Sequence, residues 1–398
     1  MKKIFLIALS LFAFICADEF VESSSTFGGY GELHYDMEKD DGDGSLDFHR
    51  FIIYYKHQFN GKWSLMSEVE LEHNMVGSES ALGYKGGYVA LEQAFLNYWN
   101  GDWGFKGGVV LVPAGITNEY HEPPTFMSVE RPEYNKYIIP TTWFDNGFSF
   151  YGTMGDLNWN YTMVGDLNGD EIGDGIRSGR MKGFKSSTTD WTKTLQASWI
   201  GMEGLKVGGS ITMNDAPVSD IVVQAVDGFW GIENVITGGC SDAMAYENEA
   251  ACIAGDGNTW LELGVETNAI WNAPILGSTT SNNPIGVTLV EINATYSKDN
   301  MYARLEYGTI NYTDNPSAKS SSGYYLDLGY NVADMMSCEG DLYLWTRTSS
   351  YNKDDDSDAK DISLFGVTYK PTNNISIKLE TGESGDNDVM RMGLGYMF

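Results

Sequence analysis

The sequence predicts an all-β protein that folds as a transmembrane antiparallel β-barrel of 16 strands, with 18 strands as the alternative and with an inward-folded third loop. Three observations predict this class. Apolar and polar residues alternate through most of the chain, short turns alternate with long polar loops, and aromatic residues gather near the ends of the candidate strands. Successive side chains of a strand point to opposite faces, so each strand offers lipid an apolar face and water a polar one.

The first residues have the pattern of a secretory signal peptide. Lys2 and Lys3 precede an apolar run over residues 4–15, and the small Ala17 follows. A basic start, a short apolar core and a small residue at the cut are typical of an exported protein. We therefore predict that residues 1–17 are removed after Ala17.

Residues 18–398 are predicted to form a single barrel domain. No apolar run in this part approaches the about 20 residues that a membrane-spanning helix needs. A closed barrel is the remaining way to satisfy every backbone group in lipid. A lipoprotein signal ending at Cys16 is a weaker alternative, because the bulky Ile15 precedes the cysteine.

Charge and motifs exclude other classes. The formal net charge of −30 argues against nucleic acid and against an anionic membrane surface as partners. The chain has five histidines and contains no G-x-S-x-G, H-E-x-x-H or P-loop motif, so we do not expect an enzyme. A hydrolase whose pair assembles across strands, for example at His121, is a further alternative.

Seventeen segments have the pattern of strands, whereas both ends of a bacterial barrel belong on the periplasmic side and require an even number. Nine precede the irregular region: 26–37, 46–59, 62–73, 87–99, 103–113, 146–153, 157–166, 192–200 and 205–213. Eight follow it: 259–271, 286–297, 301–312, 323–331, 341–350, 361–370, 375–382 and 389–398. Placing 259–271 in a large external loop gives 16 strands, whereas a further strand near 218–227 would give 18.

The irregular region is predicted to be an external loop insertion over residues 214–258. It is rich in Gly, Asp and Asn and contains Cys240 and Cys252. Export permits a disulfide between them, with two free thiols as the alternative. Cys338 is left unpaired.

The polar faces of the strands predict which side chains line the barrel interior. In a wide barrel these positions face water and set the ion preference. The predicted lumen-wall residues are Glu68, Glu70, Glu72, Lys378, Glu380 and Arg391.

Aromatic residues near the strand ends predict girdles at the two membrane interfaces. They are Trp63, Tyr98, Trp99, Trp103, Trp143, Trp159, Trp199, Tyr369 and Tyr396.

Three acidic clusters fall in long loops, around Asp40–Ser45, Asp166–Asp174 and Asp354–Asp361. Oxygen ligands at alternate positions suit Ca²⁺, but a calcium loop starting at Asp166 would have Arg177 at its acidic twelfth position. We therefore expect no bound cofactor and no dedicated metal site, and at most loosely bound Ca²⁺.

A second irregular stretch, residues 114–145, lies between the candidate strands 103–113 and 146–153. It contains four of the ten prolines: Pro123, Pro124, Pro132 and Pro140. Proline removes a backbone donor, so neither a long helix nor a central strand can run through the stretch. Its many aromatic and aliphatic residues predict that it folds against another part of the protein.

This stretch also carries a family resemblance. GGVVLVPAGITNE and HEPPTFMSVERPEYNKYIIPTTWFDNGFSFYG, residues 107–152, resemble the fifth strand and third loop of a broad Gram-negative porin family related to the phosphate-selective porins O and P. MYARLEY and SGYYLDLGYNV are similar to paired strands of that family. The resemblance spans most of the chain but is specific only around 107–152 and is lost between 214 and 286.

The resemblance implies a passive channel, a homotrimer and a third loop that narrows the lumen. It places these residues at the pore constriction: Glu119, His121, Glu122, Glu130, Arg131, Glu133 and Lys136. Phosphate selectivity does not carry over, because 25 basic residues against 55 acidic ones offer no ladder of Lys and Arg. An acidic lumen would favour cations.

We accordingly expect an outer-membrane porin through which small hydrophilic solutes and ions diffuse, with a leaning to cations. Its partners would be outer-membrane lipid, lipopolysaccharide and two further copies of the chain. The alternative is a structural or adhesion barrel without a channel, whose acidic outer loops bind divalent cations.

Overall fold

A computed structural model describes residues 22–38, 44–76, 87–184, 186–223, 229–240, 260–272 and 278–398. In these ranges, no helix is both long enough and apolar enough to cross a membrane.

The described chain consists mainly of strands. The first nine are β1 (Ser24–Glu38), β2 (Gly44–Gln58), β3 (Trp63–Glu72), β4 (Val89–Trp99), β5 (Trp103–Leu111), β6 (Phe144–Met154), β7 (Leu157–Val164), β8 (Thr192–Met202) and β9 (Leu205–Ala216). Four belong to a separate unit: β10 (Ile221–Val223), β11 (Phe229–Cys240), β12 (Trp260–Asn272) and β13 (Ser278–Thr280). The last seven are β14 (Ile285–Lys298), β15 (Met301–Thr313), β16 (Ser320–Asn331), β17 (Asp341–Asn352), β18 (Lys360–Thr372), β19 (Ile375–Ser384) and β20 (Asn387–Met397).

Sixteen of these strands form a closed antiparallel barrel, as predicted. Each pairs with its neighbour in the chain, β9 pairs directly with β14, and β20 closes the barrel on β1. Closure leaves no free strand edge, so every wall strand finds backbone partners on both sides.

The alternation predicted from sequence sorts side chains between the two faces of the wall. On β3, Val69 is exposed on the outside while Glu68 and Glu70 are buried inside. On β20, Met392 and Leu394 are exposed, and the glycine between them faces inward. A Cβ on Gly393 would lie 2.9 Å from the Val129 side chain, so this glycine makes room for the third loop.

The girdle prediction fails at one position. Trp143 is buried at the end of the third loop and belongs to an apolar cluster inside the barrel. Tyr98 is covered by other predicted girdle residues, since its ring lies 5.1 Å from that of Trp63 and 5.6 Å from that of Trp103. Proximity to a strand end does not fix which face of the wall a side chain occupies, so aromatic position alone misassigned Trp143.

The barrel interior is partly filled by loops. The third loop (112–143) and the fourth loop (165–191) contribute apolar residues to one buried cluster with the wall. The members of this cluster include Met127, Ile138 and Ile139 from the third loop and Leu167 and Ile176 from the fourth.

Residues 219–282 form a compact unit of their own. In it β10 pairs with β13, and β11 pairs with β12. The candidate strand 259–271 is therefore no part of the barrel wall, and 218–227 supplies only the short β10. The predicted Cys240–Cys252 disulfide falls outside the described residues, since Cys252 is not among them; Cys338 is a free, exposed thiol.

Replacing residues 219–282 by a short turn should leave the barrel intact. The reason is that β9 and β14 already pair along their length, with Ala216 opposite Ile285. The variant should refold to a strand-rich far-UV spectrum, reduced only by the loss of β10 to β13, and should keep heat-dependent gel migration. Deleting the β15–β16 hairpin, which removes two wall strands, is the control and should abolish both signals; equal loss in the two deletions would contradict the prediction.

Candidate functional site

The third loop (112–143) folds across the barrel interior, as its prolines and apolar residues predict. It contains two short helices, α1 (Ile116–Glu119) and α2 (Tyr134–Tyr137), and a 3₁₀ turn at Pro123–Thr125. Pro at the start of such a turn costs no hydrogen bond, because the first N–H groups have no partner within it.

The buried Asn118 joins the two ends of the third loop. Its Nδ2 donates to the carbonyls of Val112 at 2.7 Å and Trp143 at 3.2 Å. Its Oδ1 accepts the Trp143 N–H at 2.7 Å. One amide side chain thereby satisfies three backbone groups at the base of the loop.

Charged wall residues hold the middle of the loop. Lys378 Nζ donates to the carbonyls of Pro123 at 2.6 Å and Ser128 at 2.7 Å. The Glu380 carboxylate accepts the Val129 N–H at 2.7 Å. Lys378 and Glu380, which were predicted to line the lumen, lie beneath the loop and support it.

A further anchor on β15 and β16 was missed by the sequence reasoning. The Glu306 carboxylate accepts the Ile116 N–H at 3.2 Å and the Tyr325 hydroxyl at 3.0 Å. Arg304 donates to the Tyr325 hydroxyl at 2.9 Å and to Thr117 Oγ1 at 2.9 Å. Two charged residues spaced by two within an apolar strand are a signal that could have identified this anchor.

The predicted constriction residues divide between two cavities. Glu130, Arg131, Glu133 and Lys136 line a cavity of about 500 Å³, the outer vestibule, together with wall residues near the long loops. Glu119, His121 and Glu122 line a cavity of about 230 Å³, the inner cavity. The inner cavity shares Met66, Phe95 and Lys106 with a third cavity that reaches the short-turn end at Gln58. The predicted residues therefore lie on both sides of the loop.

The remaining predicted wall residues divide in the same way. Glu70, Glu72 and Arg391 line the outer vestibule, and Glu68 lines the inner cavity. The Arg391 guanidinium bridges Asp36 at 3.2 Å and Glu380 at 3.3 Å, which links the water-facing wall to the anchor of the loop.

Each acidic loop residue of the outer vestibule has a wall partner. His34 Nδ1 donates to Glu130 at 2.7 Å. Burial alone would raise the pKa of Glu130, but the hydrogen bond and charge of the His34 ring outweigh it and hold the pKa at about 2. Glu133 accepts from Tyr351, Lys360 and Ser384. Burial opposes these contacts, which nevertheless lower the pKa of Glu133.

Acidic residues facing the inner cavity are also paired with the wall. Gln196 on β8 donates to Glu119 at 2.7 Å, and the Tyr54 hydroxyl on β2 donates to Glu122 at 3.3 Å. Together with the anchors on β15 to β20, these contacts tie the third loop to opposite sides of the barrel.

The lining of the outer vestibule is richer in basic residues than the composition predicts. Its basic members are Arg50, Arg131, Lys136, Arg177, Lys182, Arg347, Lys360 and Arg391, and its acidic members are Asp36, Glu70, Glu72, Glu130 and Glu133. Arg177 and Lys182 come from the fourth loop, which was not predicted to enter the barrel. Three basic residues within 177–182 in so acidic a chain were the available signal.

The fourth loop is joined to the third by Arg180. Its Nη1 donates to the carbonyls of Thr141 at 2.8 Å and Thr142 at 3.1 Å. Burial and the neighbouring Arg177 lower the pKa of Arg180.

Some carboxylates of the acidic loop clusters already accept hydrogen bonds from other residues of the chain. The Asp166 carboxylate accepts the N–H groups of Thr189 and Trp191, both at 2.6 Å, and the Asn214 amide at 2.9 Å. Asp355 accepts the Lys319 N–H at 2.8 Å. The cluster at 40–43 lies outside the described residues, and loose Ca²⁺ binding stays a prediction.

In the described ranges, two groups of side chains have the spacing of a metal site: Asp47 with His49 and His73, and Glu68 with Glu92 and His121. In the first, both ring Nδ1 atoms already donate to the Asp47 carboxylate, at 2.8 Å from His49 and 3.0 Å from His73. The second group has no comparable short hydrogen bonds between its members.

Comparison with known proteins identifies the fold. No family model matches the sequence. An uncharacterized protein of Aquifex aeolicus (strain VF5) is 27% identical over 396 residues, covering 95% of this chain and 81% of that protein.

Solved structures with the same architecture are outer-membrane barrels. The anion-selective porin from Comamonas acidovorans has a TM-score of 0.55 at 10% identity, covering 95% of this chain and 100% of its own. A loop L8 deletion mutant of OmpT from Vibrio cholerae has 0.54 at 12%, covering 94% and 99%. Salmonella typhi OmpF in complex with daunomycin has 0.54 at 10%, covering 96% and 100%. The chain therefore has the fold of the outer-membrane porins.

Changing Lys378 to Met should loosen the third loop. The substitution removes two hydrogen bonds from a charged donor, so we expect the free energy of local opening at 123–131 to fall by about 2 kcal/mol. Hydrogen exchange measured by mass spectrometry would report faster exchange in that segment. Lys298→Met, which removes only the surface pair with Glu203, is the matched control, and equal effects of the two changes would refute the anchoring role.

Lowering the pH should weaken the attachment of the third loop to the wall of the outer vestibule. The pKa of Glu130 is lowered from 4.5 to about 2, so the stabilisation by its contact with His34 is complete above about pH 4.5 and is lost as the pH falls towards 2. The 41% exposure of the Glu130 side chain to the vestibule makes the effect modest.

Pepsin cleavage of the third loop at a series of pH values between 4.5 and 2 measures this release. Cleavage in the wild type should rise as the pH falls. In Glu130→Gln it should start higher and change less, whereas Glu203→Gln at the surface should behave as the wild type. A Glu130→Gln profile identical to that of the wild type would show that this contact does not hold the loop.

Proposed function

We propose that this protein is an outer-membrane porin, a passive and non-enzymatic channel for small hydrophilic solutes and ions. One observation carries the proposal. A loop is fixed across a closed 16-strand barrel by side chains of the wall, and cavities lined with charged residues lie on both sides of it. Such an arrangement narrows a water-filled lumen to a defined constriction.

The proposed location is the outer membrane of a Gram-negative bacterium, reached by export and removal of residues 1–17. The apolar outer face of the wall supports contact with lipid and lipopolysaccharide. A homotrimer is proposed because one related structure is described as the trimer form of OmpT. Membership of the family related to the phosphate-selective porins O and P rests on the residues of the third loop alone.

We also propose a weak preference for cations. The net charge of −30 supports it. Among the buried charged residues in the described part of the chain, ten Asp and Glu stand against four Lys and Arg. The outer vestibule has the opposite balance, with eight Lys and Arg against five Asp and Glu. Opposite signs along one path reduce selectivity, so the preference should be small.

One observation favours the alternative of a barrel without a channel. The apolar cluster formed by the third loop, the fourth loop and the wall occupies part of the interior. If the two cavities never connect, the protein would be a structural or adhesion barrel whose acidic outer loops face the surroundings.

Conductance in planar bilayers separates the two functions. The porin proposal predicts steady single-channel steps, a small cation-directed reversal potential under a KCl gradient, and several-fold larger steps after replacing residues 119–137 by a short Gly/Ser linker. Deleting 219–282 serves as the control for an equally drastic change outside the constriction. A barrel that folds but shows no steady open level would favour the adhesion alternative, and an anion-directed potential would overturn the cation preference.

A further inference from the structure

Three buried side chains converge where the third loop meets the wall opposite its Arg304 and Glu306 anchors on β15. They are Glu68 on β3, Glu92 on β4 and His121 on the loop, with 0%, 1% and 2% of their surface exposed. One ligand atom from each lies within 4.8 Å of the other two. Two carboxylates and an imidazole are a donor set suited to a metal ion.

The atoms that face one another in this cluster lack hydrogen-bond partners. Both oxygens of Glu92, Oε1 of Glu68 and Nε2 of His121 are buried and unpaired. Buried polar atoms are nearly always satisfied, and an unpaired buried carboxylate is especially costly. Four such atoms at one place indicate that a group able to bind all four belongs between them.

A second contact fixes which nitrogen of His121 faces the carboxylates. The Nδ1 atom lies 3.1 Å from the Asn118 carbonyl, which can only accept, so Nδ1 carries the proton. Nε2 is therefore the ring nitrogen that faces the two carboxylates, and it offers its lone pair to a metal ion when it is deprotonated. Histidine ligands of metals are commonly oriented by such a bond from the other ring nitrogen.

The separations suit a shared metal ion better than direct contacts. His121 Nε2 is 3.6 Å from Glu68 Oε1 and 3.9 Å from Glu92 Oε2. Both distances exceed the 2.7–3.2 Å of a good N–H···O bond. Ligands about 2.0–2.2 Å from a tetrahedral ion lie about 3.3–3.6 Å apart. The two distances from His121 are within a few tenths of an ångström of that range, and the two carboxylates offer atoms no more than 4.8 Å apart.

The surrounding charges leave room for a divalent cation. On the wall, Arg50 pairs with Glu32 at 2.6 Å and Glu70 at 3.4 Å. Arg131 donates to the His121 carbonyl at 3.1 Å. Glu68 accepts from the neutral Gln93 amide. The two carboxylate charges therefore match one divalent ion.

We propose that Glu68, Glu92 and His121 bind one divalent transition-metal ion of the Zn²⁺ class. The imidazole and the small number of ligands favour such an ion over Ca²⁺, which takes six to eight oxygens. Glu68 and His121 also line the inner cavity, so the site adjoins that cavity.

The site lies between the two cavities. Along β3, Glu70 and Glu72 line the outer vestibule while Glu68 lines the inner cavity. A bound ion would cross-link the third loop to β3 and β4, on the side of the barrel opposite the Arg304 and Glu306 anchors on β15. It would thereby restrict the passage, a consequence that rests on the proposed channel function, whereas metal binding itself does not.

Metal binding is tested on the refolded full-length protein in detergent. Zn²⁺ titration by calorimetry is run with millimolar Ca²⁺ present, so that the acidic loops are saturated and only a selective site is counted. We expect one Zn²⁺ per chain, with affinity reduced at least 100-fold in Glu92→Gln and in His121→Gln. His73→Gln, at the other cluster, is the matched control and should bind as the wild type does.

Co²⁺ provides a second readout. Co²⁺ bound by one imidazole and two carboxylates should give the visible absorption bands of an ion with a low coordination number in the wild type and in His73→Gln. These bands should be lost in Glu92→Gln. Far-UV circular dichroism confirms that each variant is folded. Absence of stoichiometric Zn²⁺ binding, or binding equal in the wild type, Glu92→Gln and His121→Gln, would overturn the proposal.

Bilayer recordings distinguish failure of the site from failure of the channel. Micromolar Zn²⁺ should reduce the wild-type conductance, and Glu92→Gln should be insensitive. Zn²⁺ binding without any effect on an open channel would refute the restriction while supporting the site. Steady conductance without Zn²⁺ binding would refute the site while leaving the channel function intact.

Discussion

The structure depends on satisfying the backbone of a loop that has no strand partner. A closed barrel pairs the polar groups of its own wall, but the third loop brings further N–H and C=O groups into the interior. Leaving one such group buried and unpaired costs about 1–3 kcal/mol. The loop can lie there because Glu306 and Glu380 accept its N–H groups and Lys378 donates to two of its carbonyls. Charges inside this barrel are therefore structural as well as electrostatic.

Because interior charges also hold the third loop, the net charge of the whole chain is a poor guide to the charge of the cavity lining. Many interior carboxylates are occupied by the loop or by arginines, as Asp327 is by Arg347 at 2.6 and 2.7 Å. What remains in contact with water in the outer vestibule includes basic residues of the fourth loop. A chain with a net charge of −30 thus presents a surface of mixed charge in its outer vestibule.

The strands could be predicted from sequence because alternation reports directly on a wall with one apolar and one polar face, as at Val69 between Glu68 and Glu70. The entry of the third loop followed from its prolines and its apolar content. Which side of the loop each residue faces could not be predicted, because that depends on wall partners far away in the chain. Glu130 meets His34 and Glu133 meets Lys360, and no local pattern connects these pairs. The Glu68–Glu92–His121 cluster has the same origin.

The middle of the third loop is seated on strands that come last in the chain. Lys378 is 255 positions from Pro123, and Glu380 is 251 positions from Val129. Gly393, which leaves space for Val129, is later still. Contacts of such long separation form slowly, because chain entropy must be lost before they contribute. During assembly the loop has no anchor on that side until β19 and β20 are in place, so its course across the interior is fixed only when the barrel closes. The order of assembly follows from the order of the strands: the wall is completed before the loop is held.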